Sequence, residues 1–149
     1  MTSLDRVKEL VTRENGLAVV FTSRADGTGQ ASIVNAGVLA HPVSGDPVVG
    51  LVVRGDTLKH RHLRKRPHVT VVFRVGWEWV AVEGDADLAG PDDELEGLDP
   101  GDVPKLLRDV FSAAGGTHDD WDEYDRVMAK ERRLAVLVRP KRVYSNPGS

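Results

Sequence analysis

Between residues 16 and 89 the chain repeats short Val-rich runs separated by turn residues, and this spacing restricts it to a β-rich fold. "GLAVVFTSR" (16–24) predicts a strand, "ADGTGQ" carries the Asp26-Gly27 hairpin signal, and "ASIVNAGVLA" (31–40) predicts the return strand. "HPVSGD" then turns the chain into "PVVGLVVR" (47–54), a third strand. After Pro67, "HVTVVFRV" (68–75) and "GWEWVAVEGDADLA" (76–89) predict two more, joined near Gly76. Five strands so closely spaced predict an antiparallel barrel or sandwich. "RLAVLVRPKRVYS" (133–145) returns as a further strand.

Helical periodicity appears in three places around this series. Leu4, Val7, Leu10 and Val11 predict an opening helix stopped by "ENG" at 14–16. Val103, Leu106, Leu107, Val110 and Phe111 follow the i, i+3, i+4, i+7, i+8 pattern of a short amphipathic helix that ends at Gly115-Gly116. "THDDWDEYDRVMAKERR" predicts a helix beginning with Thr117 and Asp120 and ending with Lys130, Arg132 and Arg133, charges that suit its dipole. Trp121, Tyr124 and Met128 share one face of it and are expected in the core. At 149 residues, 1–149 is expected to be one domain. The start is amphipathic rather than signal-like and there is no 18-residue apolar run, so a soluble, cytoplasmic protein without a membrane partner is expected.

Charge is distributed unevenly. "RGDTLKHRHLRKRP" (54–67) sets six Lys or Arg against one Asp, a net +5 in a chain of net −3, so the rest sums to −8. Asp56-Thr57 are good capping residues and Pro67 closes the block, which predicts a short helix with Leu58 and Leu63 as its apolar members. A helix this polar needs solvent, salt bridges or a bound anion. Lys59 and Arg61 fall in its first turns, where free backbone N–H groups already favour a phosphate, so an anion site is expected there. Asp56 argues the other way, since a capping carboxylate competes for those donors. Trp77 and Trp79 alternate, predict a shared strand face, and offer a surface for a planar ligand or a subunit contact.

Several other chemistries find no support. There is no cysteine, which excludes disulfides, thiolate nucleophiles and Cys-ligated metals. "GTGQAS" (27–32) lies between two strands and has Ser32 where a dinucleotide loop needs its last glycine. A Gly-x-Ser-x-Gly elbow is missing and the five His are scattered. Residues 83–102 hold nine carboxylates and no Lys or Arg, without the order of an EF-hand loop, and are expected to be a solvated strand end and loop. His60 and His62 diverge by roughly 200° on a helix and sit among cations, so no metal site is expected.

The order of an antiparallel strand, Thr57-x-Lys59, a short basic helix with Leu63, Pro67-x-Val69-Thr70-Val71 and "GWEWVAVEG" resembles the flavin and deazaflavin oxidoreductases of the pyridoxamine 5′-phosphate oxidase-like family. The resemblance runs from about residue 4 to 145, with its specific part at 52–84. It implies a split antiparallel β-barrel with flanking helices, a homodimer, and two cofactor sites at the subunit interface. It further implies that Val53, Arg54, Thr57, Lys59 and Arg61 hold the cofactor phosphate, and that Ser32, Val34 and Asn35 face the ring. The family often has Asn where this chain has His62 and Asp where it has Arg66.

Members use FMN or coenzyme F420. The additional Arg61, Arg64, Lys65 and Arg66 suit the polyanionic tail of F420, which is the expected cofactor, with FMN as the alternative. The implied reaction is hydride transfer from the reduced deazaflavin to a small electrophilic substrate, with no side chain assigned as catalytic. A non-catalytic flavin, F420 or haem carrier on the same fold is a second reading. A nucleic-acid module is a third, opposed by the sequence pI of 5.9 and by the acidic stretch, so no nucleic-acid partner is expected.

Overall fold

The computed structural model describes residues 3–146. Six strands, β1 (Leu17–Ser23), β2 (Gly29–Ala40), β3 (Pro47–Val53), β4 (His68–Val75), β5 (Glu78–Ala89) and β6 (Leu134–Ser145), form a closed barrel. Its order is β1-β2-β3-β6-β5-β4, every pairing is antiparallel, and β4 returns to β1 from Ala18↔Phe73 to Phe21↔Thr70. The antiparallel β-barrel with flanking helices expected from the Val-rich spacing is therefore the observed architecture.

Burial explains why some strands alternate in hydrophobicity and others do not. In β1, Ala18 and Val20 turn inward while Leu17 and Phe21 remain exposed, which is the pattern of a strand with one wet face. In β6, Leu134, Val136 and Val138 enter the barrel core, whereas Ala135 and Leu137 enter a second cluster outside it. Likewise in β3, Val49, Leu51 and Val53 point inward and Val48 outward into that second cluster. β3 and residues 134–138 of β6 are buried on two sides, so these segments read as continuous apolar runs.

Helices supply the second layer. α1 (Leu4–Glu14) inserts Val7, Leu10 and Val11 into the barrel core, and Arg6 and Arg13 fasten it to Glu78 at 2.9 and 2.5 Å. α2 (Leu58–Lys65) contributes Leu63 to the same core, while Leu58 remains 55% exposed. α3 (Val103–Ala113) and α4 (Trp121–Lys130) cover the outer face of β3 and β6 with Leu106, Leu107, Val110 and Tyr124. Trp121 and Met128 pack against this cluster, as their shared helical face predicts. None of these helices is long and apolar enough to cross a membrane.

Two expectations change and a third is refined. α4 starts at Trp121 rather than Thr117, because the Asp120 carboxylate, accepting the Glu123 N–H at 3.1 Å, is the cap. Trp77 and Trp79 do not share a strand face: Trp77 sits in the β4–β5 turn, 93% exposed, while Trp79 lies on β5 edge-on to Tyr144. The stretch 83–102 is the strand end and largely exposed loop expected, but four of its carboxylates, Asp85, Asp87, Asp92 and Asp93, pair with Lys or Arg rather than facing water alone.

Two glycines mark where backbones approach most closely. A Cβ on Gly84, beside the β-bulge in β5, would lie 1.9 Å from the Arg139 carbonyl oxygen. A Cβ on Gly37 would lie 2.1 Å from the Ala113 carbonyl oxygen, at the end of α3 where it rests on β2. Gly37→Ala is therefore expected to lower stability by about 1–3 kcal/mol in urea unfolding. Gly29→Ala on the same strand, whose nearest neighbour would be the Thr22 carbonyl at 3.8 Å, should be close to neutral. Equal effects of the two substitutions would show that α3 does not depend on this approach.

Candidate functional site

The seating of α3 on β2 leaves a cavity of about 460 Å³ between the barrel wall, the start of α2, and α3 and α4. Ile33, Val34 and Asn35 of β2 border it, as do Val52, Val53 and Arg54 at the end of β3, and Thr57 and Lys59 at the start of α2. Val110, Phe111, Tyr124, Met128 and Arg133 form the opposite side. One end of this cavity is cationic and the rest is largely apolar, as in sites that enclose a mostly apolar ligand with a few oriented polar groups.

Thr57 caps α2, its hydroxyl accepting the His60 N–H at 3.4 Å and donating to the Arg54 carbonyl at 3.0 Å. That proton is committed, so Thr57 shapes the turn rather than donating into the cavity. Asp56, expected as a possible cap, instead takes a left-handed conformation with φ 60° and leaves its carboxylate 89% exposed beside Arg61. The objection that a carboxylate would occupy the helix start is thereby removed. The N–H groups of Leu58 and Lys59, in the first turn, have no carbonyl four residues back within the helix.

The cations differ sharply in their surroundings. Among the described residues neither Arg54 nor Lys59 has an acidic partner, and both border the cavity. Burial lowers the pKa of Lys59 below its ordinary 10.5, and the charge of nearby Arg133 lowers it further. Arg61 pairs with Asp56 at 3.2 Å, Arg64 with Asp93 at 2.8 Å, and Arg66 donates to the Ser23 carbonyl at 3.0 Å. Of the six cations in the block, Arg54 and Lys59 border the cavity without an acidic partner among the described residues, Arg61, Arg64 and Arg66 are engaged elsewhere, and Lys65 does not border the cavity.

The acidic stretch engages Arg64 and His60 of this block. Asp93 accepts from Arg64 and from His60 Nε2, the latter at 2.6 Å, and Asp92 accepts a forked pair from Arg132. Burial pushes the Asp93 carboxyl up, yet the hydrogen bonds from Arg64 and His60 outweigh it and hold the group below the usual carboxylate range. His62 turns to Thr22, with Nδ1 at 3.2 Å from the hydroxyl, so the two histidines diverge as expected on a helix. Among the described residues no group of three His, Cys, Asp or Glu could hold a metal ion.

Of the residues singled out from sequence, Val34, Asn35, Val53, Arg54, Thr57 and Lys59 border one cavity. Ser32, opposite Val20 and on the inward side of β2, does not, nor do Arg61, Trp77 and Trp79. Arg133 was missed because the cations ending "MAKERR" read as complements of a helix dipole. In the structure α4 ends at Lys130, Arg132 is left-handed at φ 50°, and Arg133 is carried to the cavity. Tyr124, expected in the core, packs there and also borders the cavity, as does Phe111 of the amphipathic α3. Burial raises the Tyr124 pKa to about 12, and its hydroxyl donates to the Leu107 carbonyl at 3.1 Å, so it is no proton donor near neutral pH.

A larger cavity of about 550 Å³ lies across Met128 and Arg133, lined by Leu95, Leu98, Val103 and Leu107. Its Asp92, Asp93 and Asp125 are each paired with an arginine, its Arg133 with Glu131, and its Glu94 is a carboxylate, so among the described residues it offers an anion no unpaired cation.

No family model matches the chain. Solved structures sharing its architecture include a conserved hypothetical protein from Mycobacterium tuberculosis, with 17% identity and a TM-score of 0.69 over 97% of this chain and 84% of that one. A pyridoxamine 5′-phosphate oxidase-related, FMN-binding protein from Nostoc punctiforme matches at 13% identity and a TM-score of 0.62, over 95% of this chain and 79% of that one. An F420 reductase matches at 15% identity and a TM-score of 0.60, over 92% of this chain and 94% of that one. At these identities the likeness is one of fold. The chain folds as a split β-barrel of the pyridoxamine 5′-phosphate oxidase-like kind, the fold that the sequence resemblance implied.

Lys59 provides a test with a defined sign. Its folded pKa is lower than its unfolded one, so the unfolded chain binds that proton more tightly and stability rises with pH from the folded value toward 10.5. An anion against Nζ reverses the shift, so binding takes up protons in that window and weakens as pH rises through it. Lys59→Met is expected to raise the unfolding temperature without ligand and to abolish stabilisation by inorganic phosphate. A lower unfolding temperature with phosphate stabilisation intact would contradict the assignment.

Proposed function

We propose that the chain is an oxidoreductase that uses a flavin-type cofactor to move a hydride to or from a small electrophilic organic substrate. The observation that carries this reading is the pair of unpartnered cations, Arg54 and Lys59, at the start of α2 and at one end of a largely apolar cavity. A flat ring with a phosphorylated tail matches that division of polarity. Arg54, Lys59 and the first-turn N–H groups of α2 would hold the phosphate, where the helix dipole also favours negative charge. Val34, Val53, Val110 and Phe111 would line the ring and keep water from it. Asn35 is held in place by its Nδ2, which donates to the Asn15 carbonyl at 2.9 Å.

When bound, a flavin or deazaflavin ring supplies the hydride chemistry, and the chain supplies binding, orientation and exclusion of water. No side chain need act as a nucleophile, the Tyr124 hydroxyl is committed to the Leu107 carbonyl, and no general acid is assigned. The expected preference for F420 rested on Arg61, Arg64, Lys65 and Arg66. Three of these are held by Asp56, Asp93 and the Ser23 carbonyl, so the phosphate end is as well suited to FMN. The proposal therefore names the chemistry the two cofactors share. The same engagement speaks against a nucleic-acid groove, which needs a row of free cations.

The reading includes a second copy of the chain. Leu17, Phe21 and Ile33, exposed by 45, 41 and 63%, lie on the outer side of the β1–β2 pair, where Val19 faces Ile33 across the strands. Ile33 also borders the cavity, so a partner covering this apolar face would close the cavity mouth.

Titration of the protein with FMN and F420, followed by ligand fluorescence, tests the proposal, and the reduced form of the tighter ligand then serves in a screen of quinone, nitro and enone acceptors. Binding of at least one, with turnover of an acceptor, is expected. Binding without turnover would make the chain a carrier, and binding of neither would overturn the proposal. Sedimentation of the same samples is expected to give twice the chain mass.

A further inference from the structure

At 1% exposure His60 is the most buried polar side chain among the described residues, Asp93 touches it, and nothing in the proposed chemistry uses it. Its two ring nitrogens have different tasks. The backbone N–H of Asp56 can only donate, and it points to Nδ1 at 2.9 Å. Nδ1 must therefore be the acceptor, which leaves Nε2 to carry the proton shared with Asp93 Oδ1 at 2.6 Å. Asp93 is in turn held by the guanidinium of Arg64. One tautomer of one ring thus ties the start of α2 to the acidic turn that follows β5.

The segment held in this way is the turn that presents the free cations. Asp56 is left-handed, a conformation that costs a non-glycine residue free energy and persists only where its surroundings impose it. Four bonds hold the turn: the Asp56 N–H to His60, the Gly55 N–H to the Glu131 carbonyl at 3.3 Å, the Thr57 hydroxyl to the Arg54 carbonyl at 3.0 Å, and the Arg61 guanidinium to the Asp56 carbonyl at 3.0 Å. The shortest of them is the one to His60. Arg54 and Lys59 flank this turn, so its backbone path sets the separation of their charges.

We infer that His60 is a positioning residue for the anion end of the cavity, acting through Nδ1 on the Asp56 turn, with Asp93 fixing the required tautomer. The inference rests on the proposed function in one respect, that an anionic group of the ligand sits between Arg54 and Lys59. It assigns the acidic turn a task in ligand binding although none of its carboxylates faces the ligand's phosphate.

Two substitutions separate positioning from simple support of the fold. The amide of Asn places an acceptor where Nδ1 stands, and the longer Gln places a polar group where Nε2 stands. Both His60→Asn and His60→Gln lose half of the buried network and should lower the unfolding temperature. His60→Asn, which retains an acceptor for the Asp56 N–H, is expected to bind FMN within a few-fold of the parent, while His60→Gln loses about tenfold or more. Hydrogen exchange at the Asp56 amide should accelerate in His60→Gln only. Equal loss of affinity in the two variants, with binding by the parent intact, would overturn the inference and leave the proposed function standing. Absence of FMN, F420 and phosphate binding by the parent would overturn both.

Discussion

β3 and residues 134–138 of β6 are covered on both faces, and the rest of the molecule follows from that constraint. Their inner side chains fill the barrel, and their outer ones require a cover, which α3 and α4 provide. The cover must approach closely enough to exclude solvent, and Gly37 permits this by offering no side chain under the Ala113 carbonyl. Where α3 leaves the sheet, the gap between it and the end of β3 becomes the cavity. The candidate site is thus a by-product of burying a two-sided sheet, made specific by the residues that happen to border it.

Charge then decides which part of that gap can hold an anion. A basic helix in an acidic chain invites pairing, and two of its arginines pair, Arg61 with Asp56 and Arg64 with Asp93, while Arg132 beyond α4 takes Asp92. Exposed pairs such as Arg61–Asp56 contribute little to stability, and their effect here is better described as removal of competitors. Arg54 and Lys59 remain, one exposed and one half-buried, at the end of a helix whose own dipole adds to their field. The lowered pKa of Lys59 records the cost of keeping a cation there without its counter-charge.

The strands were legible because turn residues punctuate them and because the barrel interior demands apolar side chains at alternate positions. The anion end of the site was legible for a similar local reason, since Thr57, Lys59 and the preceding Arg54 lie within six residues of one another. Arg133 was not, because its place at the cavity depends on where α4 stops and how the chain turns at Arg132. The pairing of the basic helix with the acidic turn was equally hidden. His60 and Asp93 are 33 residues apart in sequence and meet only because β4 and β5 bring the turn back beside α2. Trp77 misled for the opposite reason, its alternation with Trp79 suggesting a strand face where the chain forms a turn.

The claim most exposed to experiment is that Arg54 and Lys59 bind the phosphate of a flavin-type ligand. FMN and riboflavin share a ring and differ by that group alone, so calorimetric titration of the unmodified protein with each isolates its contribution. Binding of FMN about a hundredfold more tightly than riboflavin, with the difference shrinking as salt is raised, is the predicted result. Equal affinities for the two would place the phosphate outside the reach of these cations and contradict the assignment of the site.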